Sequence, residues 1–132
     1  LSAPVIGAYP FGRYNESVIE AVKPYRLQER KAYYETKLVD LNDINPCEID
    51  SVSADMRSEK RLFEHEAAVD EACRQGKALV FRCHCLYKES ANDMGEWPVQ
   101  TDSRLFERLV RYCVGRGCKF ITMTQLMEMY SK

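Results

Sequence analysis

Along this chain, short unbroken apolar runs alternate with stretches whose apolar residues lie three and four apart, and that succession predicts strands followed by helices. Residues 4–9 form a short apolar run that reads as a first strand. Residues 14–22 place Val18, Ile19 and Val22 at helical spacing, with Asn15 as N-cap and Pro24 as the stop. Residues 32–41, rich in Tyr and Val though interrupted by charges, read as a second strand, 42–46 as a loop and 49–52 as a short strand. Ser58 then caps a helix whose inward stripe is Leu62, Phe63, Val69, Ala72 and Cys73 and which ends at Gly76. On that helix His65, beside Glu64 and Glu66, reads as an exposed residue.

Residues 78–86, ALVFRCHCL, are the most strand-like run in the chain. A long polar loop, 87–101, follows with Gly95 and the single tryptophan, Trp97; such loops after a core strand often carry function. Asp102 or Ser103 caps a helix bearing Leu105, Phe106, Leu109, Val110 and Cys113, closed by Gly115 and Gly117. A strand at 119–122 and a helix at 124–130 complete the pattern. The alternation predicts an α/β fold of parallel strands covered by helices, within a single domain spanning residues 1–132.

Composition narrows the partners. Lys and Arg total 19 against 20 Asp and Glu, interspersed along the chain, so no basic stripe invites a nucleic acid. No apolar run approaches the roughly 18 residues of a membrane span, and no basic-then-apolar leader opens the chain, so no membrane partner is expected. The first residue, Leu1 rather than Met, points to processing or truncation upstream. Six cysteines in a chain with a core of its own read as reduced, mostly buried thiols rather than a disulfide framework, which tilts the compartment towards a reducing, cytoplasmic one. A zinc cluster of Cys83, His84, Cys85, Cys113 and Cys118 is the sharper alternative. Strand alternation counts against it, because it sends Cys83 and Cys85 one way and His84 the other.

Two places suit chemistry, since ligands of parallel α/β sheets meet the carboxyl ends of the strands. One is the turn Tyr9-Pro10-Phe11-Gly12-Arg13-Tyr14-Asn15, which displays an aromatic, a cation and an amide together; its plain alternative is a well-formed strand-to-helix turn. The other is His84, late in its strand on the face of Arg82 and Leu86, with an imidazole suited to moving a proton near neutral pH. There is no Gly-rich phosphate loop, no nucleophile elbow and no pair of histidines at metal-ligand spacing.

Taken together, YPFGRYN at 9–15, VFRCHCL at 80–86, the helix after Trp97 and FITMTQLMEMY at 120–130 resemble the C-terminal half of the polysaccharide deacetylase (carbohydrate esterase) family. The resemblance implies part of a distorted (β/α) barrel in which a divalent metal, often zinc, activates water to hydrolyse N-acetyl groups of amino sugars. It carries the role of proton donor to the departing amine onto His84, active-site wall roles onto Pro10 and Phe11, and shaping of the turn onto Gly12. The family's Asp-Asp pair and His-x-x-x-His lie before the turn and are missing from this chain, so the metal half is expected from a missing N-terminal segment or a second copy. An arginine usual two residues before the Pro falls at Ala8, leaving Arg13 as a substitute; the leucine usual two before the histidine is Arg82, a cation favouring an anionic or polar substrate over a bare methyl. The leading expectation is a carbohydrate N-deacetylating hydrolase completed by another half. The competing one is a non-catalytic carbohydrate-binding or interaction domain derived from that fold.

Overall fold

The computed structural model describes residues 5–32, 36–87 and 100–130, so the loop around Trp97 and the aromatic pair at 33–34 lie outside the described residues. The chain runs β1 (Ile6–Ala8), α1 (Glu16–Val22), β2 (Gln28–Arg30), β3 (Val52–Ser53), α2 (Glu59–Gln75), β4 (Phe81–Arg82), β5 (Leu86–Tyr87), β6 (Thr101–Asp102), α3 (Ser103–Gly115) and α4 (Met123–Tyr130). Three parallel pairs are formed, β1 with β2, β3 with β4 and β5 with β6, and a parallel bridge from Arg30 to Ile49 joins the first two. This is a mixed α/β fold of parallel strands, and no closed barrel is formed among the described residues.

One segment, containing β3 and the Ile49 bridge, sorts what packs around it. From Ile49 to Met56 the residues alternate, and Val52, Ala54 and Met56 are fully buried on one side. That side meets α2 and α3 in a core of Met56, Leu62, Val69, Leu105, Leu109 and Cys113, joined by Leu79 and Phe81. The opposite side carries a second apolar group, Val39, Ile49 and Leu126, joined by Ala78 and Val80. Successive residues 78–81 therefore serve opposite faces in turn, as a strand with both faces covered must.

Local capping follows the sequence closely. Asn15 accepts from the Val18 amide at 2.9 Å, and Asp102 accepts from the Arg104 amide at 2.8 Å. Before α4, Thr122 accepts from the Gln125 amide at 3.2 Å while the Gln125 side chain accepts from the Thr122 amide at 2.8 Å, a reciprocal capping box. Ser58 stands at the N-cap of α2 without a side-chain cap bond, and Gly76 closes that helix at φ 64°.

Several expectations fail. The second strand is Gln28–Arg30 rather than 32–41: residues 36–38 are irregular, and Val39 makes only an antiparallel bridge to Ala78. Hydrophobicity missed it because Gln28, Glu29 and Lys31 are buried polar residues, Glu29 near Arg26 at 3.6 Å and Lys31 between Glu48 and Asp50. Residues 119–122 are not a strand. Their amides find no neighbouring ladder among the described residues, and the segment instead borders an apolar cavity of about 510 Å³ against α2 and α3. The run 78–86 is broken, with ladder pairs only at Phe81–Arg82 and Leu86–Tyr87 and a bend at His84.

On α2 the inward stripe excludes Phe63 and Cys73, which are exposed, and includes His65, which is 1% exposed. The six cysteines are free thiols, but only Cys113 is buried; the Cys73 and Cys118 thiols share a hydrogen bond at 3.6 Å without a disulfide. His65 meets the Phe81 ring edge-on at 5.5 Å, and neither ring nitrogen has a hydrogen-bond partner. Burial pulls its pKa down to about 4, with the Arg61 charge adding to the effect and Glu64 and Asp55 opposing it.

Two predictions follow from this packing. Below pH 6.5 the unfolded chain binds a proton at His65 that the native state refuses until about pH 4, so stability falls as pH drops through that window, by up to roughly 3 kcal/mol. His65→Leu should flatten urea-derived stability between pH 6.5 and 4 by close to one proton's slope. In the turn after β1, Gly12 has φ 67° and a Cβ there would lie 2.8 Å from the Ala32 Cβ. Gly12→Ala should cost more than the ~1–2 kcal/mol of left-handed backbone alone, whereas Gly115→Ala, with nothing within 4 Å of its Cβ, should be neutral or stabilising in the same denaturation assay.

Candidate functional site

The alternation that buries Val52, Ala54 and Met56 turns Ser51, Ser53 and Asp55 to the opposite face. Register pairs Ser53 with Arg82, and two residues further along both parallel strands Asp55 comes opposite His84. The bend at His84 folds its ring onto that carboxylate, with Nδ1 2.7 Å from Asp55 Oδ2, and the His84 amide donates to Oδ1 at 3.2 Å. The Ser53 hydroxyl donates to Oδ2 at 2.5 Å while its oxygen accepts from the Asp55 amide at 3.2 Å. From β6, the buried Thr101 hydroxyl reaches the Ala54 carbonyl at 3.2 Å and Asp55 Oδ1 at 3.4 Å, with the Cys83 sulfur 3.3 Å away.

These contacts decide protonation. Burial pushes the Asp55 carboxyl up, but the hydrogen bonds from Ser53 and His84 outweigh it and hold the group below the usual carboxylate range. An ionised carboxylate only accepts, so His84 Nδ1 carries the proton and Nε2 is left as the exchanging nitrogen. The Asp55 side chain is 10% exposed and that of His84 49%, so the orienting group is enclosed and the imidazole is reachable. A half-exposed ring held in one orientation just past the end of a parallel strand has the geometry to give or take a proton at Nε2.

The other expected residues are placed as follows. Arg82 lies two residues before His84 on the same face, half-buried, donating to the Ser51 carbonyl at 2.9 Å. Pro10, Phe11 and Gly12 form one turn of 3₁₀ helix directly after β1. Tyr9 anchors it, buried, with its hydroxyl donating to the Cys47 carbonyl at 2.8 Å and its ring stacked on Tyr14 at 4.8 Å. Phe11 is 97% exposed at φ 55°, a left-handed conformation that a non-glycine residue adopts at a cost. Arg13 follows, exposed, and Ala8 ends β1.

The turn and the dyad share the carboxyl edge of the parallel ladder but stand three strands apart, and no hydrogen bond or ion pair joins them among the described residues. Asp55 is the member of this candidate site that sequence reasoning missed. Its signal was the strict alternation of Ser51-Val52-Ser53-Ala54-Asp55-Met56, a strand read as ending at 52. Among the described residues no three His, Cys, Asp or Glu side chains gather as a metal site.

If Asp55 organises the site and His84 serves chemistry, the two differ in structural weight. Asp55→Ala strips a charged acceptor from Ser53, Thr101 and His84 and should lower unfolding free energy by about 2–3 kcal/mol. His84→Ala, at a half-exposed ring, should cost less than about 1 kcal/mol in the same urea titration. In comparisons with known proteins, no family model, no curated protein and no solved structure matches this chain.

Proposed function

We propose that this chain is the acid-bearing half of a metal-dependent hydrolase that removes N-acetyl or related amide groups from carbohydrate, on part of a distorted (β/α) barrel of polysaccharide-deacetylase type. The observation that carries the reading is the Asp55–His84 dyad at the carboxyl ends of β3 and β4. Amide hydrolysis places a hydroxyl on the carbonyl carbon and breaks its bond to nitrogen, and an amine leaves readily only when protonated. His84 Nε2 supplies that proton. Asp55 fixes the tautomer and steadies the positive ring in the protonated state, as an enclosed carboxylate does.

The described residues do not fit a metal, so no step on this chain is routed through one. In this reading the divalent metal, zinc by preference, is held by a complementary N-terminal half or a second copy. The strand ends support such a partner: among the described residues β1 pairs only with β2 and residues 119–122 have no ladder. A carbohydrate-binding domain without turnover is the second reading, favoured by Phe11, whose exposed ring on a strained turn suits stacking on a sugar.

The complete protein, with whatever coding sequence lies upstream of Leu1, tests this. That sequence should contain an Asp-Asp pair and a His-x-x-x-His. His84→Ala should reduce acetate release from N-acetylated oligosaccharides by at least about 100-fold with metal stoichiometry unchanged. Retained turnover would remove the acid role, and lost metal would make His84 a ligand. Stoichiometric metal absent from the complete protein, with oligosaccharide binding weakened by Phe11→Ala, would favour the binding domain.

A further inference from the structure

Where α2 and α3 end, three thiols gather that the proposed hydrolysis does not use. Cys73 lies in the last turn of α2, Cys113 near the end of α3 and Cys118 just past it, and all three line the apolar cavity beside residues 119–122. Cys73 is exposed, Cys118 half-buried and Cys113 buried. The Cys73 and Cys118 sulfurs stand 3.6 Å apart, although 45 residues separate them in sequence.

The packing around the pair holds that approach in place. Asp70, one turn before Cys73, accepts from the Tyr112 hydroxyl at 2.9 Å on both carboxylate oxygens and from Arg116 Nε at 2.8 Å, which ties the last turns of the two helices together. Gly117, at φ 75°, then turns the chain back, and the Cys118 amide donates to the Cys113 carbonyl at 3.0 Å. Burial and the hydrogen bond with Cys73 push the Cys118 thiol up to about 11, so it keeps its proton near neutral pH. Cys73, the exposed member, is therefore the sulfur that a reagent from solvent meets first. Bonded sulfurs lie about 2.0 Å apart, and a small rotation of the two side chains closes the gap.

We infer that Cys73 and Cys118 form a redox modification site, at which a small-molecule disulfide of the glutathione type converts the thiol pair into a bridge between α2 and the segment after α3. Cys73 loses its proton and attacks one sulfur of the reagent, whose S–S bond breaks and releases one small thiol. Cys118 then loses its proton and attacks the Cys73 sulfur, forming the 73–118 bond and releasing the second small thiol. Two protein thiols are oxidised and one reagent disulfide is reduced, with no other reactant. The bridge fastens the head of residues 119–122, which have no ladder among the described residues, to α2 and so fixes one wall of the cavity. Neither Asp55 nor His84 takes part.

Trypsin separates the three thiols, since Cys73, Cys113 and Cys118 fall on fragments 62–74, 112–116 and 117–119. The complete protein is incubated under native conditions with oxidised glutathione, remaining thiols are alkylated, and the fragments are read by mass spectrometry. Fragment 62–74 joined to 117–119 should be the main product, and closing a loop of 45 residues should raise Tm by roughly 5–15 °C over the reduced protein. Cys118→Ser should trap Cys73 as a glutathione adduct with no such rise. Cys73→Ser, a change at an exposed position, should leave Cys118 unmodified and Tm unresponsive to the reagent. Four results overturn the site: unreacted thiols, Cys73 joined to any other cysteine, a glutathione adduct that persists on Cys73 in the unsubstituted protein, or a 73–118 bridge without a rise in Tm.

Discussion

The strict two-sidedness of the segment from Ile49 to Met56, which contains β3, is the constraint on which the rest depends. A strand flanked by parallel neighbours has both faces covered, and its pleat commits each residue to one face without compromise. Val52, Ala54 and Met56 are fully buried on one face, where Met56 joins the helical core, and Ser51, Ser53 and Asp55 fall on the opposite face. A slip of one residue would turn Asp55 towards α2 and α3 and put Met56 on the polar face. Thus the packing of an ordinary apolar core also positions the carboxylate of the candidate site.

On the polar face, charge is arranged in depth. Ile49, Val39 and Leu126 close the base with apolar contacts, Arg30 and Arg82 converge on Ser51 above them, and Asp55 with His84 ends the strands. Each polar atom placed so far from open water needs partners, and Ser51, Ser53 and Thr101 provide them. Small hydroxyl residues suit this, because a serine both donates and accepts within one strand position. The unsatisfied histidine lies on the other face: His65, against Phe81 in the helical core, has its pKa pulled down because burial outweighs the attraction of Glu64 and Asp55.

Where the sequence misled, the reason lies in burial of polar residues or absence of neighbours. Gln28, Glu29 and Lys31 look like solvent-facing residues, and nothing local announces that β1 and the Ile49 strand enclose them. His65 likewise sits among charges in sequence but turns inward on its helix. Residues 119–122 have the composition of a strand, yet a strand exists only by pairing, and no ladder reaches them among the described residues. The break at His84 was also invisible, since the run 78–86 is continuous in apolar character. Only the pull of Asp55 on the imidazole and the backbone amide marks the bend.

The sequence by itself determined the four helices, the caps at Asn15 and Asp102 and the glycine stop at Gly76, and it singled out His84 as a candidate for proton transfer. Those features are local: a cap acts within four residues, and a period shows within one element. Only the tertiary structure decided that Asp55 would be its partner, 29 residues away, and that Arg30 and Arg82 would meet on Ser51. Register between parallel strands makes those pairings, and it is set by how two apolar faces pack against their helices rather than by any motif along the chain.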